Sequence, residues 1–336
     1  MLHFSRVTSW ILALSIILVI VSIVSSDLGP AKLSSNLILN SISYIFSPGV
    51  SSITQTEFTI LMTLRLPRII LAAIVGFALS VSGTIMQGFF RNPLADPSII
   101  GVSAGAATGA VAIIAIGISI PFGIEMAAIV GALLAAFFVF YISTENKRTP
   151  VATLLLAGIA IQTFLAAIVS LLILLSGDNL RSAIFWLMGH LHTATWTDIL
   201  FTLPIVSIGF LILLFFTRDL NALYLGEENA HSLGVNVEQT KRILLAISSI
   251  LTAVAVSVSG VIGFVGLIIP HFMRLIVGSD HRILLPTSAF AGAIFLVMAD
   301  TLARSGPAEI PVGIITAIVG VPFFLYLLIN KGRSTL

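Results

Sequence analysis

Two arginines three residues apart, Arg65 and Arg68 in the stretch Thr63-Leu64-Arg65-Leu66-Pro67-Arg68, stand at the mouth of a long apolar run. Residues three apart on a helix share a face. Pro67 suits the first turn of a helix, where its missing N–H costs nothing. The pair is therefore expected to crown a helix and present two cations at its end. Arg304 closes another apolar run. Guanidinium grips carboxylate in a two-pronged geometry, so the trio could dock a carboxylate-bearing partner. The same side chains could equally snorkel to lipid phosphates. Asp300 is expected to pair with an arginine, and Glu309 to sit at a helix N-terminus, where the dipole favours an acid.

The histidines offer less. His271 lies in "GFVGLIIPHFMRLIVGSDHR", a short apolar run interrupted by Pro270 and Arg274. It is a proton carrier or, on the simpler reading, a hydrogen-bonded structural residue. His190 and His192 are two apart; on a helix they diverge by roughly 200 degrees, which makes them a poor chelating pair. There is no cysteine, so disulfides, thiolate metal sites and cysteine nucleophiles are excluded. No G-x-x-x-x-G-K-[ST] occurs, so the chain is not expected to cradle ATP itself. No metal cluster, acid pair or nucleophile–base arrangement stands out. These absences argue against an enzyme, and against a proton relay of intramembrane acids.

Two loops carry signals. In "FFRNPLADPSIIGVSAGAATGA" (Phe89–Ala110), two prolines with Asn92 and Asp96 predict consecutive turns, with Asp96 capping a helix that begins at Pro97. Gly101, Ser103, Ala104, Gly105, Ala106, Gly109 and Ala110 then form a small-residue face for close helix packing. The most polar segment is 217–242. Within it, Glu227 through Leu233 can form about two helical turns, stopped by Gly234. Leu225, Ala230 and Leu233 could seat in a partner's groove while the acids stay wet.

These groups are positioned by an unusually oily chain. Of 336 residues, 58% are hydrophobic and 9% charged, against roughly 25% charged in soluble domains. A soluble protein could not cover its surface with so few charges, so the class is all-α integral membrane. The net charge of +2 is scattered and forms no nucleic-acid patch. Apolar runs long enough to cross a bilayer predict spans at Val7–Ser25, Ile69–Phe90, Ile99–Ile118, Ile124–Ser143, Val151–Leu175, Ile199–Phe216, Ile243–Ser259, Leu284–Ala303 and Gly313–Ile329. A shorter tenth is Val261–Val277. The first is read as a retained span, since its apolar length exceeds a signal-peptide core. One set of loops holds Lys32, Arg65, Arg68, Arg181 and Arg304; the other holds the remaining eleven of the 16 basic residues. The richer side is expected to be cytoplasmic, with both termini on it. The chain reads as one transmembrane domain, 1–336. It has an outer segment at 27–64 carrying an interfacial helix, an outer short helix at 178–196 and a cytoplasmic loop at 217–242. An echo, "LSVSGTI" (Leu79–Ile85) and "VSVSGVI" (Val256–Ile262), fits either an inverted repeat or chance.

Taken in order, "TLRLPRIILA", "GFFRNPLADPSIIGVSAGA", "TLLLAGIAI", "FWLMG", "GEENAHSLGV", "SGVIGFVGLIIPHFMRLIVGSDHR" and "EIPVGIITAIVGVPFFLYLL" resemble the permease of bacterial ABC importers for iron-siderophores, haem and cobalamin, the type II importers. The resemblance covers nearly all the chain after the first span. It implies ten spans per subunit and a homodimer in the bacterial inner membrane. It also implies two ATPase subunits inside, which bind ATP and magnesium, and a substrate-binding protein outside. No cofactor is implied for this chain. By motif position, Arg65, Arg68 and Arg304 match the family's docking arginines. Gly226, Glu227, Glu228, Ala230, Leu233 and Gly234 match its coupling helix. Asn92 and Leu94, with Val151 and Ala152, match its cytoplasmic gate. Cobalamin members often carry small hydroxylated residues where this chain has Val151-Ala152, so an iron chelate, haem or ferric siderophore, is favoured over cobalamin. A secondary transporter is the more distant alternative.

Overall fold

The computed structural model describes residues 2–29, 54–146, 148–306 and 308–333. The apolar runs become helices. They are α1 (Leu2–Asp27), α2 (Leu66–Phe89), α3 (Val102–Ile116), α4 (Gly123–Ser143), α5 (Val151–Leu175), α6 (Leu180–Leu187), α7 (Trp196–Phe215), α8 (Thr217–Tyr224), α9 (Glu227–Ser232), α10 (Val237–Ser259), α11 (Val265–Val277), α12 (His281–Arg304) and α13 (Val312–Arg333). Seven helical stretches among the described residues are long and apolar enough to cross a membrane; three shorter apolar helices lie at Val102–Ile116, Val265–Val277 and Val312–Leu325. Together they account for the ten spans expected. The interfacial helix expected in 27–64 falls largely outside the described residues.

The second span departs from a plain helix. It runs unbroken from Gln55 to Phe89, but Leu61–Arg65 is wound as a π-helix immediately ahead of Pro67. Proline cannot donate to the preceding turn and its ring crowds the carbonyl four residues back. A wider turn relieves both and lets the helix continue. Pro67 is thus in the first turn of α2, as its residue type predicts, without starting the span.

Burial divides the helices into a centre and a rim. The apolar window of the second span is 83% buried, and those of α10 and α12 are each 72% buried, whereas α1 and α5 bury only 6% and 11% of theirs. A membrane helix that is apolar all round and exposed faces lipid or another chain. The central helices touch through missing side chains. A Cβ on Gly83 would lie 1.8 Å from the Gly266 carbonyl oxygen, and one on Gly105 would lie 2.2 Å from that of Gly131. The second contact is the small-residue face of α3 meeting α4. Several hydroxyls inside the centre donate to carbonyls of their own or the facing helix: Thr84 to Ser80 O at 2.8 Å, and Ser82 to Ser248 O at 3.2 Å. This lets Ser- and Thr-rich helices stay in a dry core. The sequence echo has no matching shape, because Leu79–Ile85 is wholly helical while Val256–Ile262 leaves the helix after Ser259.

Candidate functional site

The polar side chains collect at the two ends of the bundle. At one end, α1 and α12 finish and α2 begins. Here the three arginines differ from expectation. Arg65 and Arg304 are each 5% exposed, and neither stands free. Arg304 donates to the carbonyls of Ser25 (2.5 Å) and Leu28 (2.7 Å), and Arg65 donates to that of Ser26. Ser25 and Ser26 lie in the last turn of α1, at the negative end of its dipole where carbonyls lack partners within the helix, and Leu28 follows it directly. Arg68 holds Asp300 through Nε at 2.9 Å and Nη2 at 2.7 Å, and holds Glu309 through Nη1 at 2.5 Å. Asp300, 1% exposed, also faces Arg304 Nε at 3.4 Å. The expected crown of outward cations is therefore corrected. The arginines stitch α1, α2 and α12 together, and Asp300 is the arginine partner the sequence suggested. Glu309 is held by Arg68 more directly than by any helix dipole. It is also the half-exposed member of the set, with 48% of its side chain accessible.

Beside this cluster the segment after α6 makes a feature that the sequence reading missed. The short helix expected over 178–196 ends at Leu187, and Met188–Thr195 is non-helical. Gly189 turns with φ +72°, and a Cβ there would meet Val261 O at 2.6 Å. His190 N–H then donates to Ser259 O at 2.7 Å. Leu191 is buried in the core at 1% exposure, and the rings of His190 and His192 lie together with centroids 4.7 Å apart. The divergence expected for a helix does not occur. His190 Nδ1 is buried with no hydrogen-bond partner. Burial, reinforced by His192 and Arg68, lowers the pKa of His190 to about 4, so its ring is neutral near pH 7.

The opposite end carries the 91–101 turns, the start of α5 and the α8–α9 loop. Gly234 N–H donates to His231 O at 2.9 Å and Val235 N–H to Ala230 O at 3.0 Å, the paired bonds of a glycine-ended helix. The predicted stop at Gly234 is thus observed. Leu225 and Leu233 are 67% and 69% exposed, but Ala230 is fully buried within this chain. Ala230 is therefore corrected from partner contact to internal anchor. Gly226 turns the chain at φ +123° into α9, whose first residues are Glu227 and Glu228.

Glu227 is tied inward by Lys241, which is 2% exposed. Lys241 Nζ holds Glu227 at 2.7 Å and Glu238 at 3.1 Å, and donates to Thr149 O at 3.2 Å. Glu238 in turn accepts from Thr149 N–H at 3.2 Å. Thr149 and Pro150 lead directly into Val151 and Ala152 at the start of α5. A second strut joins α8 to the end of α2. Arg274 lies over the Tyr224 ring at 5.5 Å and donates to Gln87 at 3.3 Å. Asn221 bonds Asp280 at 2.8 Å and His281 at 2.7 Å. The hydrogen bonds from Arg282 hold the Asp280 carboxyl well below the usual carboxylate range.

Asn92 accepts from Leu94 N–H at 3.0 Å, making the predicted turn just past Gln87, and Asp96 caps Pro97–Ile100 through Ser98 N–H at 2.8 Å. Burial raises the Asp96 pKa against the pull of those Ser98 bonds. Phe90 and Ala95, which flank Asn92 and Leu94, share one apolar cluster with Val151. Both struts therefore run from the exposed loop to turns around one cluster. From sequence alone Lys241 is one basic residue within the polar segment 217–242; the signal that singles it out is its spacing after Glu238.

Comparison with known proteins places this geometry. The model of the FecCD transport family matches residues 11–330. A cobalamin import system permease from Halobacterium salinarum is 47% identical, with 97% of each chain covered. A hemin transport system permease from Yersinia pestis is 43% identical over 95% of this chain and 94% of its own. A solved protein classed as a metal-chelate type ABC transporter, in an inward-facing conformation, superposes with TM-score 0.84 at 35% identity, over 95% of this chain and 98% of that one.

Proposed function

The chain belongs to the FecCD transport family, and we propose that it is the permease through which an ATP-driven importer moves an iron chelate, haem or a ferric siderophore, across the cytoplasmic membrane. Two copies enclose the path. Two ATPase subunits, which bind ATP and magnesium, seat on the exposed loop formed by α8 and α9. A substrate-binding protein delivers cargo at the arginine end. Both termini then lie in the cytoplasm.

The observation that carries this reading is the Glu227–Lys241–Glu238–Thr149 strut. It gives a pull on the loop a short, buried and charged route to the start of α5. Leu225 and Leu233 supply the exposed apolar contacts for the ATPase groove. At the other end, Arg68 is already neutralised by Asp300 and Glu309. A carboxylate of the binding protein therefore takes the place of the half-exposed Glu309 rather than meeting a bare cation.

A second cargo keeps a specific observation in its favour. The relative from Halobacterium salinarum with 47% identity is a cobalamin permease, while Val151 and Ala152 lack the hydroxyls expected of cobalamin members at the gate. The test is uptake by cells lacking the gene, and by the same cells complemented with it, given haemin, several ferric siderophores and cobalamin in turn. Restored uptake of an iron chelate supports the proposal. Restored uptake of cobalamin alone transfers it to the alternative, and restoration of none overturns both.

A further inference from the structure

One face of α10 takes no part in the struts. Arg242, Ala246 and Ile250 are all exposed and follow one another at four-residue spacing, so they form one stripe along the helix. Beside the stripe lies a hollow of about 380 Å³, walled by α10, α4 and the first turn of α5. Its rim on α4 is exposed, at Leu133 and Phe137; its floor is buried, at Ile100, Leu154 and Leu245. Ser249 is the other polar side chain in the lining besides Arg242, and its hydroxyl already donates to Leu245 O at 2.7 Å. The hollow is thus an apolar slot with a cation at one end.

We infer that this slot seats one anionic phospholipid of the cytoplasmic leaflet, its phosphate on Arg242 and one acyl chain against the floor. Charge at one end and hydrocarbon along the rest is the pattern of a phospholipid. The length agrees. From Arg242 to Ile250 the helix rises about 12 Å at ~1.5 Å per residue, close to one leaflet of a hydrocarbon core ~30 Å thick. Guanidinium grips phosphate through paired donors, and none of the ion pairs among the described residues uses Arg242. Glu238, one turn earlier, is engaged by Lys241 and by Thr149 N–H. The turn that carries the exposed Arg148 is held to the same end of α10 through Thr149. A second guanidinium there favours a head group of net negative charge over one that brings its own ammonium. The seat has a consequence for transport. Ile100 ends the turn that follows Asn92 and Leu94, and Leu154 lies one turn beyond Val151. A tail resting on both side chains backs the two segments matched to the gate.

This inference rests on the importer reading for its leaflet and its gate, and its test separates the two. The full chain with its ATPase, in nanodiscs of phosphatidylcholine, receives a phosphatidylglycerol with a photoreactive group in its tail, and adducts are mapped by mass spectrometry. Adducts should fall on residues 133–140 and 245–250. Excess phosphatidylglycerol should displace them, and phosphatidylcholine with the same tails should not. Arg242→Gln should raise the displacing concentration at least about tenfold, and Arg242→Lys should recover part of the loss. Ala246→Phe, an exposed position that leaves the core untouched, should fill the slot and remove the adducts. Adducts spread evenly over the exposed helices, equal displacement by both lipids, or unchanged adducts in Ala246→Phe overturn the site. The chain has no cysteine, so Phe137→Cys also tests a second copy as the cover: a disulfide-linked dimer on oxidation overturns the lipid. ATP-driven uptake in proteoliposomes should be several-fold faster with phosphatidylglycerol than with phosphatidylcholine alone, and Ala246→Phe should lose that gain. Uptake indifferent to the lipid overturns the backing of the gate. ATP-driven uptake without selective adducts overturns this inference and leaves the importer standing. Selective adducts in a protein that imports nothing do the reverse.

Discussion

Replacing Lys241 by methionine keeps the length of the side chain and removes its charge. In the native arrangement the ammonium meets three oxygens, on Glu227, Glu238 and Thr149, at 2.7, 3.1 and 3.2 Å. Breaking a fully buried ion pair costs ~3–5 kcal/mol. Here Glu227 and Glu238 keep 39% and 25% of their side-chain exposure, so water recovers part of the loss. Hydrogen bonds to charged groups contribute ~1.5–3 kcal/mol, and about 2 kcal/mol is a reasonable net figure. The bond from Thr149 N–H to Glu238 survives, but Glu227 is released and the loop loses its tie to α5. A 2 kcal/mol loss lowers the population of the linked arrangement about 30-fold. The assay measures ATP hydrolysis and cargo uptake in the same proteoliposomes. Lys241→Met should keep hydrolysis within about twofold while uptake per ATP falls at least about tenfold, and Lys241→Arg should recover part of it. An unchanged uptake-to-hydrolysis ratio in a well-folded Lys241→Met variant would refute the strut.

Three further outcomes are expected. Asp300→Ala leaves Arg68 and Arg304 facing each other without the acid between them, and should cost ~3–5 kcal/mol, read as a fall in the midpoint of thermal unfolding in detergent. Glu309→Gln weakens the hold on Arg68 at its accessible side, and should tighten the binding protein several-fold in a surface-binding assay; weaker binding would contradict the exchange of carboxylates. Asp280→Asn tests the second strut through pH. The folded pKa of Asp280 lies below its unfolded value, so its contribution is present above the ordinary carboxylate range and lost only as pH falls through the lowered value. The unfolding gap between wild type and Asp280→Asn should therefore hold steady from about pH 5 to 8, and close only below about pH 4.

The helices were legible because bilayer thickness fixes how many apolar residues a span needs; seven helical stretches among the described residues meet that length, and three shorter apolar helices complete the set. Small residues announced their contact as well, since Gly105 and Gly109 can have little use on α3 other than close approach. The stop at Gly234 and the cap at Asp96 followed from local backbone chemistry. Apart from the pairing of Asp300 with an arginine, what was not legible was set by tertiary partners. Arg65 and Arg304 looked like free cations because nothing in their spacing reveals that the carbonyl end of α1 lies against them. Ala230 looked like a partner contact because a short helix does not declare which face is already covered. His190 and His192 lie together because the helix stops at Leu187, so the angular spacing of a helix does not apply to them. Lys241 carried no motif; its role comes from Thr149, nearly a hundred residues away.

The central claim is that this chain moves cargo only when other chains, seated on the α8–α9 loop, hydrolyse ATP. Its most direct test is uptake into sealed proteoliposomes containing the purified permease, with and without its ATPase, each with ATP or with an imposed proton gradient. The account predicts uptake only with ATPase and ATP together, and none from the gradient. Uptake by the permease alone, with the gradient as sole driving force, would contradict it.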